Sequence, residues 1–409
     1  DDAYWVDQLG DQAIENVNQG FDTVRATITH TLEDNVEQLY LLGTLAINGT
    51  GNALANVLTG NSNPASNVLS GLTGNDSYVV GAEDVVVELV NEGTDLIKTD
   101  TSYTLPDNVE QLMPFGLTAV TSINFTGNSL NNLLIGNAGN NILTGGLGAD
   151  TMKGNGGNDS YLVDSLLDIV SELSTTTPSV DAGGIDTVYS TVSWTLGNYV
   201  ERLTLTDTSD LNATGNTLDN NLIGNTGGNQ LDGGAGADAM LGGNGNDIYI
   251  VDQVGDSVTE LVNEGTDLIK TDLSYILPEN VEQLTLTGTG SVTGTGNSLN
   301  NTLTGNSAAN ILRGQAGNDL LIGQGGADTL SGDTGNDQLT GGLGDDRYEF
   351  VAGDGHDTIT DTDATTGNHD LLAFGTGINP LDLVFAQINN ELQISRHLSS
   401  DRVDINDWG

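Results

Sequence analysis

The residues of this chain best suited to chemistry are aspartates that recur every nine positions. Between Gly305 and Glu349, five nine-residue units follow one another without a break. Four of them carry Asp at the sixth position and an apolar residue at the eighth; the five are GNSAANILR, GQAGNDLLI, GQGGADTLS, GDTGNDQLT and GGLGDDRYE. Glycine permits left-handed and tight turns, and carboxylate oxygens are ligands that Ca²⁺ takes. The pattern is typical of a parallel β-helix that binds calcium.

The spacing also predicts which aspartates stack. In a coil built of two nine-residue halves, loops on one side belong to units n and n+2, and stacked strands lie about 4.8 Å apart. Two carboxylates at that distance repel by about 3 to 4 kcal/mol at an effective dielectric of about 20, so a column of Asp needs a cation between its rungs. This register pairs Asp319 with Asp337 and Asp328 with Asp346, and Asp357 is expected to continue the Asp337 column.

Earlier runs of nonapeptides mix Asn and Asp at the sixth position. The predicted stacks place Asn132 over Asp150, Asn141 over Asp159, Asn220 over Asp238 and Asn229 over Asp247, and the first, most degenerate module offers Asp76 in a run where Pro64 lies in a lengthened unit. An Asn column needs no cation, so these stacks are predicted to be half-charged. Only the last run would then offer full Asp pairs, and we expect the tightest calcium there. The alternative for each Asp is a carboxylate that caps a turn without metal.

A longer repeat encloses the nonapeptides. Val36, Val109, Val200 and Val281 recur within it at spacings of 73, 91 and 81 residues. The first residues match the interior of a module, so we expect this sequence to be part of a longer or processed polypeptide. The predicted divisions are solenoid modules with degenerate repeats over 1–126, a second module over 127–214, a third over 215–295, a calcium-rich β-roll over 296–351 and a β-cap over 352–409.

The segments that position these loops alternate apolar and polar residues. Stretches such as SYVVGAEDVVVELV and TDLIKTDTSYTL favour β-branched residues and are punctuated by Gly, Asn and Asp, which predicts short strands. Helix is expected to be scarce. Further alternating stretches at Asp382 to Ala386, Glu391 to Ser395 and Arg402 to Asn406 predict a cap that covers the open solenoid edge. The predicted fold class is all-β, a parallel β-roll or β-solenoid with a carboxy-terminal β-cap.

Composition narrows the function. The 57 acidic residues face 9 basic ones, and the formal charge is −48. Such a surface cannot neutralise phosphates, so nucleic acid is excluded as a partner. No apolar run reaches about 18 residues, so no transmembrane segment is predicted. The chain has no Cys, which leaves oxygen ligands for a metal. An acidic disordered tract is the alternative, but apolar residues recur in register with the glycines, as a packed stack requires.

The sequence shows no recognisable catalytic constellation. Its four histidines are scattered, and it contains no HExxH, phosphate-binding loop or GxSxG motif. We therefore predict that this chain is not an enzyme and assign no catalytic residue.

Two sets of motifs resemble a known family. The GGxGxDxUx units, the NVEQLTLTGT stretch at Asn280 to Thr289 and the LTGNxxxN linkers resemble the repeats-in-toxin (RTX) family of haemolysin-type calcium-binding proteins. The end of the chain, with DLLAFGTGINPLDL and VDINDW, is similar to the haemolysin-type calcium-binding related domain that often follows such repeats. The resemblance implies a parallel β-roll, export by the type I secretion machinery and folding in external calcium.

The resemblance also implies a ligand set. In the family, backbone carbonyls at the first and third loop positions join the Asp side chain. Carried over to this chain, one site would use the carbonyls of Gly314, Ala316, Gly332 and Thr334, and the other those of Gly323, Gly325, Gly341 and Leu343.

Repetition without catalysis favours a secreted, extracellular or cell-surface protein with a structural or adhesive role. It would associate with itself or with a cell surface, for instance in a filament, matrix or surface layer. The competing class is a carboxy-terminal folding and secretion module of an extracellular protease, lipase or polysaccharide-modifying enzyme whose catalytic domain lies upstream. Ice or carbohydrate binding would need a flat Thr or aromatic ladder, and only short fragments such as Thr285 to Thr289 are present.

Overall fold

The computed structural model describes residues 1–61, 66–173, 180–363 and 367–406. Pro64 and the last two residues of the VDINDW motif, Asp407 and Trp408, lie outside these ranges. In the described part the chain forms short strands and a single three-residue 3-10 helix, Pro380–Asp382. The strands stack in parallel from one coil to the next, so the predicted all-β solenoid is confirmed. The chain divides into two compact units, Asp1–Leu203 and Thr204–Gly409.

The strands are short because each is one line of a repeat. A typical strand is Ile311–Arg313, in which only the central Leu312 is buried and both neighbours face outward. Alternate residues of a strand point to opposite faces, so one apolar residue per unit is enough to build a core. The Gly, Asn and Asp residues on either side then turn the chain.

The strands of the first unit follow one another at nearly regular intervals, and the last of them contains the boundary between the units. They are β1 Ala3–Val6, β2 Thr23–Ala26, β3 His30–Thr31, β4 Gln38–Leu41, β5 Gly49–Thr50, β6 Val57–Thr59, β7 Val68–Ser70, β8 Ser77–Val79, β9 Val85–Val86, β10 Leu96–Lys98, β11 Tyr103–Thr104, β12 Gln111–Met113, β13 Asn124–Thr126, β14 Leu133–Ile135, β15 Ile142–Thr144, β16 Thr151–Lys153, β17 Ser160–Val163, β18 Ile169–Ser171, β19 Thr187–Ser190, β20 Trp194–Thr195 and β21 Arg202–Leu205.

Alternate strands of the first unit enter different sheets. One sheet runs β1-β2-β4-β6-β8-β10-β12-β14-β16-β18, a second includes β11-β13-β15-β17-β19, and a third runs β3-β5-β7-β9. The described pairings within them are parallel, as in β14 with β16, where Leu134 lies opposite Met152. Each coil therefore contributes one strand to each of two sheets.

The second unit continues the same design. Its strands are β22 Asn212–Thr214, β23 Asn221–Ile223, β24 Gln230–Asp232, β25 Ala239–Leu241, β26 Ile248–Val251, β27 Ser257–Thr259, β28 Leu268–Thr271, β29 Tyr275–Ile276, β30 Gln283–Leu286, β31 Thr293–Thr295, β32 Thr302–Thr304, β33 Ile311–Arg313, β34 Leu320–Gly325, β35 Thr329–Ser331, β36 Gln338–Leu343, β37 Arg347–Phe350, β38 His356–Ile359, β39 Leu371–Phe374, β40 Leu383–Ile388, β41 Glu391–Arg396 and β42 Arg402–Ile405.

The sheets of the second unit face each other across a ladder of apolar residues. One sheet includes β22-β24-β26-β28-β30-β32-β34-β36-β38-β42-β41-β40, another runs β29-β31-β33-β35-β37-β39, and β23-β25-β27 lie together in a third. Leu303, Leu321 and Leu339 occupy matching positions of successive strands. Each pair is separated by two nine-residue units, which confirms that units n and n+2 stack on one side. The loops that carry the aspartates are held in register by this ladder.

The end of the second unit closes one edge. The strands β40, β41 and β42 pair antiparallel with one another, and β42 pairs in parallel with β38, the last strand of its sheet in the solenoid. Their bounds agree with the three alternating stretches predicted from the sequence. They extend a solenoid sheet, because the free N–H and C=O groups of β38 find partners in β42.

In the described part of the chain, no helix has both the length and the apolar character needed to cross a lipid bilayer.

The ladder predicts how strongly one rung contributes to stability. Leu321→Ala should lower the free energy of unfolding by about 2 to 5 kcal/mol, because Leu321 is completely buried and truncation leaves a cavity. Leu261→Ala is the control, since Leu261 is 58% exposed. Denaturant unfolding in calcium-containing buffer measures both, and equal effects of the two substitutions would contradict the assigned core.

Candidate metal centre

The aspartates of the last run form two columns, and within each column a backbone N–H of one Asp donates to the carboxylate of the next. The N–H of Asp319 donates to Oδ1 of Asp337 (2.8 Å), and the N–H of Asp328 donates to Oδ1 of Asp346 (2.8 Å). The N–H of Asp337 donates in turn to Oδ1 of Asp357 (3.1 Å), so Asp357 continues that column. The structure thus places these five carboxylates in the register that the nonapeptide spacing predicts.

The second oxygen of each carboxylate is buried without a partner. No hydrogen bond reaches the Oδ2 atoms of Asp319, Asp328, Asp337, Asp346 and Asp357. Each of these residues is at most 2% exposed. None of them enters an ion pair within the described residues. Burying a carboxylate oxygen without a donor or counter-ion is costly, so each Oδ2 atom requires a cation or a proton.

A backbone carbonyl faces the same space as the free Oδ2 atom in two of these loops. A Cβ atom built on Gly323 would overlap Oδ2 of Asp328 and would lie 2.5 Å from the carbonyl oxygen of Gly341. Two hydrogen-bond acceptors therefore converge beside Gly323 with no donor between them. Carboxylate and carbonyl oxygens are the ligands that a hard cation takes. Their approach leaves no room for a side chain, so the first loop position requires glycine.

The other column repeats this geometry. A Cβ atom on Gly314 would overlap Oδ2 of Asp319 and would lie 2.6 Å from the carbonyl oxygen of Gly332. Of the four first-position carbonyls named from the family resemblance, those of Gly332 and Gly341 face a free carboxylate oxygen. Those of Gly314 and Gly323 instead lie beside the Asn loops that begin at Gly296 and Gly305, and ligation by them stays a prediction.

The third-position residues have a different role in the structure. The carbonyls of Thr334 and Leu343 accept the N–H groups of Gly317 (3.1 Å) and Gly326 (2.8 Å) in the preceding rung. Ala316 pairs with Thr334, and Gly325 pairs with Leu343, in parallel register. These residues hold successive loops together, and ligation by their carbonyls stays a prediction.

Burial shifts the protonation of the columns. Loss of water around the charged form raises the pKa of Asp319 and Asp328 to about 7 and that of Asp357 to about 8, although an N–H donor partly opposes the shift in each case. The pKa of Asp346 rises to about 6 for the same reason. Without metal these carboxylates would hold protons more tightly than in water.

Loops with Asn at the sixth position are built differently. In the loop that begins at Gly296, Oδ1 of Asn301 accepts the N–H of Asn297 (2.7 Å). The amide nitrogen of Asn301 donates to the carbonyls of Val281 and Glu282 in the preceding coil (both 3.3 Å). Both ends of the amide are thus satisfied without an ion. An Asp at this position could not donate to those carbonyls.

This difference accounts for the order Asn, Asn, Asp, Asp within a run. The first units of a run meet carbonyl oxygens of the preceding wide coil, which need an amide donor. The next units meet an N–H instead: that of Asn301 donates to Oδ1 of Asp319 (2.7 Å). The sixth residue is therefore chosen by the group that the preceding rung presents.

The backbone of the two loop types differs as well. In Asp loops the second residue is left-handed, as in Gln315 (φ 82°), Gln324 (φ 73°) and Asp333 (φ 61°). Asn155 has φ 67° in a loop that ends in Asp, whereas Asn137 does not have a positive φ in a loop that ends in Asn. Asn at the second loop position thus takes two backbone conformations. Which one it takes depends on whether the sixth residue of the loop is Asp or Asn.

The structure corrects the prediction that only the last run holds full Asp pairs. The predicted Asn-over-Asp stacks are present, but the Asp columns continue into the segments between runs. Backbone N–H groups of the predicted ligands donate to Oδ1 of a following Asp in the pairs Asp76 to Asp95 (2.7 Å), Asp150 to Asp168 (3.0 Å), Asp159 to Asp186 (2.7 Å), Asp238 to Asp256 (3.1 Å) and Asp247 to Asp267 (2.8 Å).

Sequence reasoning missed these partners although a signal was present. Asp95, Asp186 and Asp267 each follow Gly by two residues and precede a buried apolar residue by two, as in Gly265-Thr-Asp-Leu-Ile269. This is the second half of a nonapeptide without its first half. The earlier columns also keep unpartnered buried Oδ2 atoms, on Asp76, Asp150, Asp159, Asp238 and Asp247.

The nonapeptide units match a known repeat family. The RTX calcium-binding nonapeptide repeat matches this chain in 4 copies, at residues 126–161, 214–249, 295–330 and 322–359. The chain therefore contains RTX calcium-binding repeats, and calcium is the cation that this family implies. The geometry of the Asp loops fits that ion. No curated protein matches the chain significantly.

Glycine at the first loop position yields a prediction. Gly323→Ala should abolish the calcium response of its loop and destabilise the protein by about 1 to 3 kcal/mol, because its Cβ would occupy the space between Asp328 and Gly341. Gly290→Ala is the matched control, since a Cβ there meets no atom within 4 Å. Calcium titration followed by circular dichroism compares them, and equal responses would contradict the assigned site.

The raised pKa values predict an unusual pH dependence without metal. Groups whose pKa is raised on folding stabilise the folded state at low pH, and this contribution is lost as pH rises through the folded pKa. In excess chelator, stability should therefore fall between about pH 4 and about pH 8, the window set by carboxylates such as Asp319 and Asp357. Thermal unfolding measures this, and stability that rises with pH across that window would contradict it. Saturating calcium should remove the trend.

Proposed function

We propose that this chain is a secreted structural or adhesive β-solenoid protein that folds when external calcium fills its Asp columns. The observation that carries the proposal is a set of buried Oδ2 atoms without a hydrogen-bond partner, those of Asp319, Asp328, Asp337, Asp346 and Asp357. In two of these loops, beside Gly314 and Gly323, that atom is seen to face a backbone carbonyl.

The chemistry of the site favours calcium among common cations. The candidate ligands are carboxylate and carbonyl oxygens, and the chain has no Cys. Hard oxygen ligands suit Ca²⁺ or Mg²⁺, and flexible sets of oxygens suit the larger ion. Extracellular calcium modules bind with Kd values of about 10⁻⁴ to 10⁻³ M, which separates the outside of a cell from its cytosol.

Calcium binding would be coupled to folding. The facing oxygens of one site come from loops eighteen residues apart, as with Asp328 and the carbonyl of Gly341 in the rung after it. They converge only after the coils have stacked, so the binding free energy contributes to folding. A chain that stays unfolded at cytosolic calcium suits export by type I secretion machinery, and external ions would then let each folded coil align the next.

The structural or adhesive role rests on repetition and charge. With a formal charge of −48, copies of the chain repel one another unless cations intervene. Calcium would therefore promote contact between copies or with a cell surface. Light scattering across a calcium titration tests this role, and a monomer at every calcium concentration would refute self-association.

Replacing one column carboxylate tests the calcium dependence. Asp328→Asn keeps an oxygen for the N–H of Asn310 but removes the negative charge that faces Gly341. At about 10 mM calcium, a site with Kd of about 10⁻³ M adds about 1.4 kcal/mol of stability. In calcium the variant should lose about this increment relative to the unmodified chain, as denaturant unfolding measures.

The matched control is Asp272→Asn, which removes the same charge from an exposed residue of the same unit. It should respond to calcium like the unmodified chain. If both variants keep the full calcium increment, the column carboxylates do not hold the ion. If the unmodified chain folds equally well in chelator, calcium does not gate folding.

A further inference from the structure

The module junctions share a feature that the nonapeptide pattern does not explain. Where a run of nonapeptides ends, the buried eighth residue is Tyr instead of Leu or Met, as in Tyr78, Tyr161 and Tyr249. All three side chains are completely buried. Each hydroxyl donates a hydrogen bond to a Glu of the following coil, namely Glu88, Glu172 and Glu260.

The tyrosine replaces a missing backbone acceptor. Within a run, the first-position Gly donates its N–H to the next rung, as Gly136 does to the carbonyl of Lys153 (2.7 Å). At the end of a run, Gly154 donates instead to the hydroxyl of Tyr161 (2.8 Å), and Gly242 donates to that of Tyr249 (2.7 Å). A leucine has no polar atom to offer, so Tyr terminates the run and orients the Glu.

Each of these glutamates meets two aspartates of a column. One carboxylate oxygen from each member of three buried triads lies within 4.8 Å of the others; the triads are Asp76 with Glu88 and Asp95, Asp159 with Glu172 and Asp186, and Asp247 with Glu260 and Asp267. All nine residues are at most 5% exposed. The triads therefore bring three carboxylates together in the protein interior.

The triads contain oxygens that the protein does not satisfy. Asp76, Asp95 and Glu88 each keep one buried oxygen without a hydrogen-bond partner, as do all members of the second triad. In the third triad this holds for Asp247 and Glu260. No Lys or Arg forms an ion pair with any of them among the described residues. Three clustered carboxylates without a counter-ion would repel strongly at this depth.

We propose that each Tyr-closed triad binds one calcium ion, as a second class of site distinct from the loop sites beside Gly314 and Gly323. The inference rests on the proposed function, since it takes calcium as the external ligand. Similar groups at Asp2, Glu15 and Asp22 and at Asp346, Asp361 and Asp370 include an exposed member, so the proposal is confined to the three buried triads.

The two classes differ in charge. A loop site offers a column carboxylate and a backbone carbonyl, whereas a triad offers three carboxylates. Calcium affinity rises with the number of charged ligands, so the triads bind more tightly and fill first. Because each triad joins the end of a run to the next wide coil, its ion fixes the junctions before the loop sites are filled.

The experiment counts bound calcium on the full chain by equilibrium dialysis. Glu260→Gln should remove one tightly bound ion per chain, while Glu279→Gln, which changes an exposed Glu of the same module, should remove none. Tyr249→Phe should keep the ion but weaken its binding by about 10- to 100-fold, since it removes the outer partner of Glu260 and also the acceptor of the Gly242 N–H.

A terbium titration of the unmodified chain gives a readout independent of these variants. Terbium bound in a triad lies next to a tyrosine and should emit when tyrosine is excited. We expect tyrosine-sensitised emission in the first phase, ending near three ions per chain and reduced by Tyr249→Phe.

The outcomes separate this inference from the proposed function. If calcium still induces folding but Glu260→Gln keeps every tight ion, the triads are not sites while the loop sites stand. If Glu260→Gln fails to fold, an early sensitised terbium phase supports the inference, and emission only after the loop sites are filled overturns it. A chain that binds no calcium overturns both.

Discussion

The main constraint on this structure is a set of buried carboxylate oxygens that accept no hydrogen bond. In two of the Asp loops, one Oδ2 atom and one backbone carbonyl point into the same small space, as Asp328 and the carbonyl of Gly341 do beside Gly323. The hydrophobic ladder forces the loops into this register, because Leu321 and Leu339 can pack only when the coils align. Packing and electrostatics thus oppose each other until a cation or a proton enters. The stability of the fold therefore depends on the cation concentration and on the pH.

The chain limits this conflict by using two kinds of loop. Asn loops satisfy their amides with the carbonyls of a preceding wide coil, and they need no ion. Asp loops follow them, accept an N–H through one oxygen and leave the other for a metal. Each run therefore begins with rungs whose polar groups are satisfied and ends with rungs that keep a buried carboxylate oxygen without a partner. A buried Tyr marks the end of a run, and its hydroxyl donates to a Glu of the next coil, which lies beside the Asp column.

Much of this arrangement could be predicted from the sequence. The nine-residue period fixed the β-solenoid, the stacking of Asp319 over Asp337 and the continuation to Asp357, because period and register are local properties. The partners Asp168 and Asp256 could not be found by the nonapeptide pattern, since they lie in segments of irregular length that only the folded coil aligns. The reason for Asn or Asp at the sixth position could not be predicted either, because it depends on whether the preceding rung presents a carbonyl or an N–H. The module boundaries and the metal ligands stay predictions.

The most direct test of the account is anomalous diffraction from crystals grown in calcium. We expect anomalous peaks beside Oδ2 of Asp319, Asp328, Asp337 and Asp346, and none in the loops of Asn301 and Asn310. The peaks at Asp319 and Asp328 should lie within ligand distance of the carbonyls of Gly332 and Gly341. Asp loops without such peaks, with the coils stacked as described here, would show that the columns are stable without metal and would contradict the account.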